Sequence, residues 1–252
     1  MEMRWRRIDY RKYSWRKREW MGYFLLYLGT SGVVAYLFYH SIFGIFSAVI
    51  IVPCGMYGTK KELLRKRDQI LMVQFKDCLR FVSGALSVGY SIENAWKEAE
   101  KDLVKMYGKE ADMCKELLQM NARIGLREPI ENQLLDFAVR SGQEDVNDFC
   151  QIFSFAKRSG GDFIRIIQNT DKRISDKVEI LQEMDTVMAA KKFEQKIMNF
   201  IPLFLLFFIQ STSPEFIHPL YGNIAGAAVM SGCLVLYGSA ILIARKIVDI
   251  EV

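Results

Sequence analysis

Between Asp162 and Lys196 the positions Phe163, Ile167, Thr170, Ile174, Val178, Leu181, Met184 and Met188 recur every three or four residues. That spacing sets them on one face of a single long helix. Gly160-Gly161 opens the stretch, no Gly or Pro interrupts it, and the charge-free segment Ile197–Pro214 follows at once. The pattern predicts a soluble-type helix that runs straight into a bilayer, a rod able to pass force or position between a cytosolic body and a membrane anchor.

Upstream, residues 60–196 read as all-helical, with one proline. Leu71, Phe75, Cys78, Val82 and Ala85 form an apolar stripe on a helix from Lys60 to Leu86. Gly89-Tyr90-Ser91 stops it and starts the next, because Gly suits the left-handed residue after a helix and Ser91 suits an N-cap. Ile92–Tyr107 carries Ala95, Trp96, Ala99 and Leu103 on one face and ends at Gly108. A third helix spans about Glu110–Ile124. Gly125-Leu126-Arg127-Glu128-Pro129 is then a stop and restart with Pro in the first turn, and the fourth helix runs to Arg140, closed by Ser141-Gly142. A fifth, about Asp145–Arg158, is expected to bury Val146, Phe149, Ile152, Phe153 and Ala156, and Ser159-Gly160-Gly161 ends it. With the rod as sixth, short turns make an antiparallel six-helix bundle, with no strand pattern and no repeat.

The charge map adds a membrane. Trp20–Thr59 contains no Lys, Arg, Asp or Glu over 40 residues, and Ile197–Ala244 contains only Glu215. A span takes about 20 apolar residues. The first block therefore reads as a hairpin turning near His40, and the second as a short and a long span divided at Pro214–Pro219. The expected fold is an all-α membrane protein in which four transmembrane helices, as two hairpins, flank the six-helix bundle. Its segments are a basic and aromatic arm at 1–19, a first hairpin at 20–59, the cytosolic domain at 60–196, a second hairpin at 197–245 and a tail at 246–252. Basic residues crowd 1–19, 60–67, 191–196 and 245–246, while the two outer loops carry no Lys or Arg. The positive-inside rule then puts both termini and 60–196 in the cytoplasm of a multi-pass inner-membrane protein.

Of the net charge of +5, the arm alone holds +5, from eight basic and three acidic residues. Trp5, Tyr10, Tyr13, Trp15 and Trp20 interleave with those cations and read as interfacial anchors against anionic lipid. Residues 60–196 are near neutral, which does not suggest nucleic-acid binding. The five cysteines, at 54, 78, 114, 150 and 233, have no metal-type spacing and read as buried small hydrophobes. No cleavable signal peptide is apparent.

A search for catalysis finds no candidate. His40 and His218 both fall at outer membrane turns, no Cys/His pair sits in the bundle, and Ser159-Gly160-Gly161 lacks the lysine of a phosphate loop. No cofactor or metal is expected. Transport by this chain alone is disfavoured, since the spans hold no ionisable group. On the rod, Arg173 with Lys177 and Glu179 with Glu183 are like-charged pairs one turn apart, which slightly destabilise an isolated helix. They read either as a solvated face or as charges that meet a partner.

The layout resembles the platform proteins of the type II secretion F-domain family, and within it the tight-adherence (Tad) pilus branch of TadB-like proteins. The residues that carry the resemblance are Gly89-Tyr90-Ser91-Ile92-Glu93-Asn94-Ala95-Trp96, Phe137-Ala138-Val139-Arg140-Ser141, Asp145 with Phe149, Ala156-Lys157-Arg158-Ser159-Gly160-Gly161, Asp171-Lys172-Arg173-Ile174 with Lys177, and Pro202 with the Gly222–Gly226 region. Relatives often hold two copies of the helical domain; this chain has one. The resemblance implies a non-catalytic base whose cytosolic domain engages a hexameric secretion ATPase and whose spans handle pilin subunits. It also implies a homo-oligomer or a pairing with a second platform protein. Lys157, Arg158, Arg173, Lys177, Glu179 and Glu183 are the expected partner contacts, while Gly89, Ser91, Gly160 and Gly161 are expected to form turns. The alternative is a membrane-anchored scaffold or adaptor unrelated to secretion.

Overall fold

The computed structural model describes residues 8–11, 15, 17–39, 46–159, 162–217, 221 and 223–248. The described residues form nine helices: α1 (Lys17–Tyr39), α2 (Phe46–Ser87), α3 (Ile92–Tyr107), α4 (Asp112–Gly125), α5 (Ile130–Ser141), α6 (Glu144–Ser159), α7 (Phe163–Thr212), α8 (Pro214–Ile217) and α9 (Ile224–Val248). The fold is all-α. The chain divides into two compact units, one of Met1–Tyr13 with Lys61–Ile180 and one of Ser14–Lys60 with Leu181–Val252, so α2 and α7 contribute to both.

The first unit is the helical body. Its centre is aromatic: Phe75 of α2 meets Phe137 of α5 and Phe149 of α6, with ring centroids 6.0 and 5.7 Å apart, and Phe153 continues the line. Leu71, Leu79, Trp96, Leu103, Leu117, Leu134, Ile167 and Ile174 complete the core. Sequence punctuation explains the turns. Gly89 has φ +98, the region where a Cβ is strained, and Ser91 accepts the Asn94 N–H as N-cap of α3. Gly142 is left-handed and returns its N–H to the Ala138 carbonyl.

Two local expectations are corrected. Pro129 is the N-cap residue of α5, not part of its first turn, and the left-handed residue of that turn is Arg127, φ +67. Ile152 is 48% exposed, while Cys150 is buried in its stead; Ile152 stands one residue, about 100° of helix, away from buried Phe153. On α7 the eight positions expected on one face are all sheltered: Ile167 and Ile174 are buried, and Phe163, Thr170, Val178, Leu181, Met184 and Met188 are half-buried. The expected turns at Gly160-Gly161, His40 and His218 lie outside the described residues.

The second unit packs α1, the start of α2, the end of α7 and α9 together. Leu37, Phe38 and Met230 are its buried cluster, joined by Val34, Leu203, Leu206 and Leu234. Tyr221 donates to the Leu37 carbonyl at 2.6 Å, and Tyr237 donates to the Asn199 carbonyl. Gly55 admits the ring of Tyr27, which a Cβ there would meet at 2.4 Å, and the Tyr27 hydroxyl bonds Thr59 at 2.6 Å.

Two helices, not four, are long and apolar enough to cross a membrane among the described residues: Lys17–Phe38 and Ala225–Ala244. The described charge-free parts of the other two segments are short. The charge-free end of α7, Ile197–Thr212, rises about 24 Å at 1.5 Å per residue, short of the about 30 Å of a hydrocarbon core. The described charge-free part of α2, Phe46–Thr59, rises about 21 Å.

Two neighbours on α6 test the placement of the core. Phe153→Ala should cost about 3–5 kcal/mol of stability, whereas Phe155→Ala, 73% exposed, should stay within about 0.5 kcal/mol of the parent. Denaturant unfolding of the two variants in detergent reads the difference, and equal losses would contradict this packing.

Candidate functional site

The helical body has a polar centre that no sequence pattern announces. Glu116 of α4 is fully buried, and Arg140 of α5 grips it with both terminal guanidinium nitrogens, each at 2.7 Å. The Arg140 Nε also donates to Asp136 at 2.9 Å, one turn earlier. A buried carboxylate demands such a partner, and the two-pronged match of guanidinium to carboxylate is the strongest side-chain solution. Burial works against the charged guanidinium, but the bonds and charge of Glu116, then of Asp136, outweigh it and raise the Arg140 pKa.

The arm Ile8–Arg11 closes this centre. Tyr10 is fully buried, donates its hydroxyl to Glu116 Oε1 at 2.8 Å, and meets the edge of Phe137. The Arg67 guanidinium lies 4.9 Å from its ring centroid and is itself held by Asp112, Nε to Oδ2 at 2.8 Å. Burial, then the negative charge of Glu116, push the Tyr10 phenol far above its ordinary range. Tyr10 is therefore a core residue, and its expected role as an interfacial anchor is corrected. Trp15 and Trp20 instead meet Tyr23 and Phe24, while Trp5 and Tyr13 lie outside the described residues.

Backbone contacts explain why the arm stops here. The last four carbonyls of a helix lack intrahelical donors. At the end of α5 the Arg140 carbonyl accepts the Tyr10 N–H at 3.1 Å, and the Val139 carbonyl accepts the Arg11 guanidinium. Arg140 in turn donates to the Ile8 carbonyl at 3.1 Å. A cation at a helix C-terminus also suits its dipole.

The residues expected to contact a partner fall in two places. Arg173 and Lys177 converge on Asp145 of α6, at 3.2 and 2.6 Å, with Asp148 3.7 Å from Arg173. The like-charged pair on α7 thus has its countercharge within the chain. Lys157, toward the other end of α6, pairs with Glu131 of α5 at 3.1 Å and Glu93 of α3 at 3.5 Å. Asp145 and Lys157 stand about 18 Å apart along the helix, so the structure does not bring these cations into one site. Arg158, Glu179 and Glu183 are exposed. Gly89 and Ser91 form the turn described above, and Gly160 and Gly161 lie outside the described residues.

Nothing in these clusters forms a metal or nucleophile arrangement. Among the described residues no group of three or more His, Cys, Asp or Glu could hold a metal ion. Cys78, Cys114 and Cys150 are buried, and burial pushes the Cys150 thiol up to about 12. Cys54 and Cys233, expected to be buried, are exposed. No family model, curated protein or solved structure matches this chain.

Two predictions follow from the charges. Arg140→Ala, which strands Glu116, should cost about 3–5 kcal/mol, while the double change Glu116→Leu with Arg140→Met should recover much of it; a single variant no worse than the double would refute the pairing. Asp68 of α2 has an Oδ1 that is buried without a hydrogen-bond partner. Burial raises its carboxyl to about 6, against the opposing charge of Arg67. The folded carboxyl holds its proton more tightly than the unfolded one, so its contribution is full below about pH 4 and is lost as pH rises through about 6. Asp68→Asn should raise the melting temperature above that range and leave it unchanged below, and a pH series of melts reads the crossover.

Proposed function

We propose that the chain is a non-catalytic platform in the cytoplasmic membrane, serving a Tad or type IV pilus-like, or type II secretion-like, machine. Its helical body docks a hexameric secretion ATPase, and its spans handle pilin subunits entering or leaving the fibre. One observation carries the reading. The 50-residue helix α7 starts among the core side chains of the helical body, at Ile167 and Ile174, and continues without a break through the charge-free segment Ile197–Thr212. A helix of this kind couples a docking body to a membrane segment.

In this reading α1 and α9 are full spans. The charge-free parts of α2 and α7, packed in the same unit, complete a four-helix membrane bundle in which short segments are tolerated through thinning or association. The basic flanks then hold both termini and residues 60–196 in the cytoplasm. Working units pair with a second copy or a second platform protein, and the basic residues nearest the spans meet lipid headgroups.

The ATPase-facing surface falls on the end of the body where α3 and α5 begin and α6 ends. Lys157 ties those helix ends together through Glu93 and Glu131. Val88 is 80% and Leu126 76% exposed, and Tyr90, Arg127 and Arg158 are exposed as well. Arg127 also holds a left-handed conformation unusual for a side-chain-bearing residue, and strain of this kind collects at functional positions. Arg173 and Lys177, committed to Asp145, are positioning residues between α6 and α7.

Two Gly residues inserted between Ala189 and Ala190 should abolish fibre assembly in the native host while membrane insertion persists. Arg127→Glu with Arg158→Glu should weaken pull-down of the neighbouring ATPase at least about tenfold, as loss of paired rim charges does. Normal fibre output from the insertion variant sinks the relay. A chain that co-purifies with other proteins but no ATPase is the scaffold or adaptor instead.

A further inference from the structure

We propose that the arm Ile8–Arg11 is a displaceable strap, and that what it covers is a docking site for an extended segment carrying tyrosine followed by a cation. This is independent of the secretion reading. The site is built from three kinds of group at the end of α5. The Glu116–Arg140 pair receives the phenol at 2.8 Å, the Arg140 carbonyl receives the Tyr10 N–H at 3.1 Å, and the Val139 carbonyl receives the guanidinium of Arg11. Arg67 covers the ring from the α2 side, and Phe137 from the α5 side.

Three observations separate a strap from a permanent part of the core. First, the pair beneath it is satisfied without it: Glu116 keeps both bonds to Arg140, and Arg140 keeps Asp136, so withdrawal of Tyr10 strands no charge. Second, only one residue of the arm is buried: Tyr10 is fully buried, Ile8 is half-buried, and Asp9 and Arg11 are exposed. Third, among the described residues each hydrogen bond between the arm and the body joins residues more than a hundred positions apart, so no neighbouring turn of the chain braces the arm there. Its other side leads through residues 12–16 into α1, which is long and apolar enough to cross a membrane. A pull on that connection, or a competing segment of like chemistry, would uncover the site.

The full-length protein in detergent tests this in two ways. In hydrogen exchange of the wild type, the Tyr10 amide should exchange at least about tenfold faster than the Leu117 and Leu134 amides of the core, the sign of sub-global opening. Exchange as slow as theirs overturns the proposal, because the arm then leaves only on global unfolding. In a binding assay, a labelled peptide with the sequence of residues 1–13 should bind the folded Tyr10→Ala chain at least about tenfold more tightly than the wild type, whose own arm competes. The same peptide carrying Tyr10→Phe should lose most of that gain, since it cannot donate to Glu116. Equal binding to both chains, or no loss with the Phe peptide, rejects the site; if Tyr10→Ala fails to fold, the exchange experiment on the wild type still decides.

Discussion

A carboxylate taken wholly out of water fixes more of this molecule than any other single group. Full burial of the Glu116 carboxylate calls for a guanidinium that meets it squarely, and Arg140 does so with two bonds of 2.7 Å. That demand sets the rotation of α4 against α5, since both side chains must point inward at one level. It also places Asp136 one turn before Arg140, and it gives the phenol of Tyr10 an acceptor that justifies burying it. Hydrophobic contact supplies most of the attraction in the body, but it is non-directional. The buried ion pair supplies direction.

Around that centre the body is tied at both ends by charge and along the middle by aromatic rings. Arg67 with Asp112, and Asp145 with Arg173 and Lys177, hold one set of helix ends. Lys157 with Glu131 and Glu93 holds the other. Between them Phe75, Phe137, Phe149 and Phe153 touch in sequence. Ion pairs open to water on at least one side contribute little to stability individually, so their effect lies in choosing among similar packings of amphipathic helices. Convergence of two cations on Asp145 is the clearest case, because either cation alone would leave the rotation of α7 on α6 less defined.

The helices themselves were legible in the chain because their signals are local. The bounds of α3 follow from Gly89, Ser91 and Gly108, and the end of α5 from Gly142. The stripe Leu71, Phe75, Cys78, Val82 is buried as its spacing requires. What escaped reading is non-local. Tyr10 among arginines has the composition of a membrane anchor, and its partner Glu116 lies 106 positions away, so nothing near it in sequence marks it as core. Glu116 is one carboxylate among many on an amphipathic helix until Arg140 is brought beside it. The like-charged Arg173 and Lys177 did signal a missing countercharge, but spacing could not say whether Asp145 or a partner would provide it. Span number was only partly legible: absence of charge was visible in the chain, whereas among the described residues two helices are long and apolar enough to cross a membrane.

The value of a continuous helix for coupling depends on how firmly each end is gripped, because a rod free at one end turns or slides instead of transmitting. On α7 the grip within the helical body is Ile167 and Ile174, with Arg173 and Lys177 on Asp145 resisting rotation. Within the second unit it is Leu203 and Leu206 against the cluster of Leu37, Phe38 and Met230, with the Asn199 carbonyl held by Tyr237. Between these grips, from Glu179 to Lys196, the side chains are exposed or half-buried, and the helix relies on its own hydrogen bonds. Pro202 removes one of those bonds and lies next to the Leu203 contact, where packing against α1 and α9 can restrain a kink. The helix-breaking residue thus falls inside a gripped region and not in the free run, which is where a coupling element would have to exclude it.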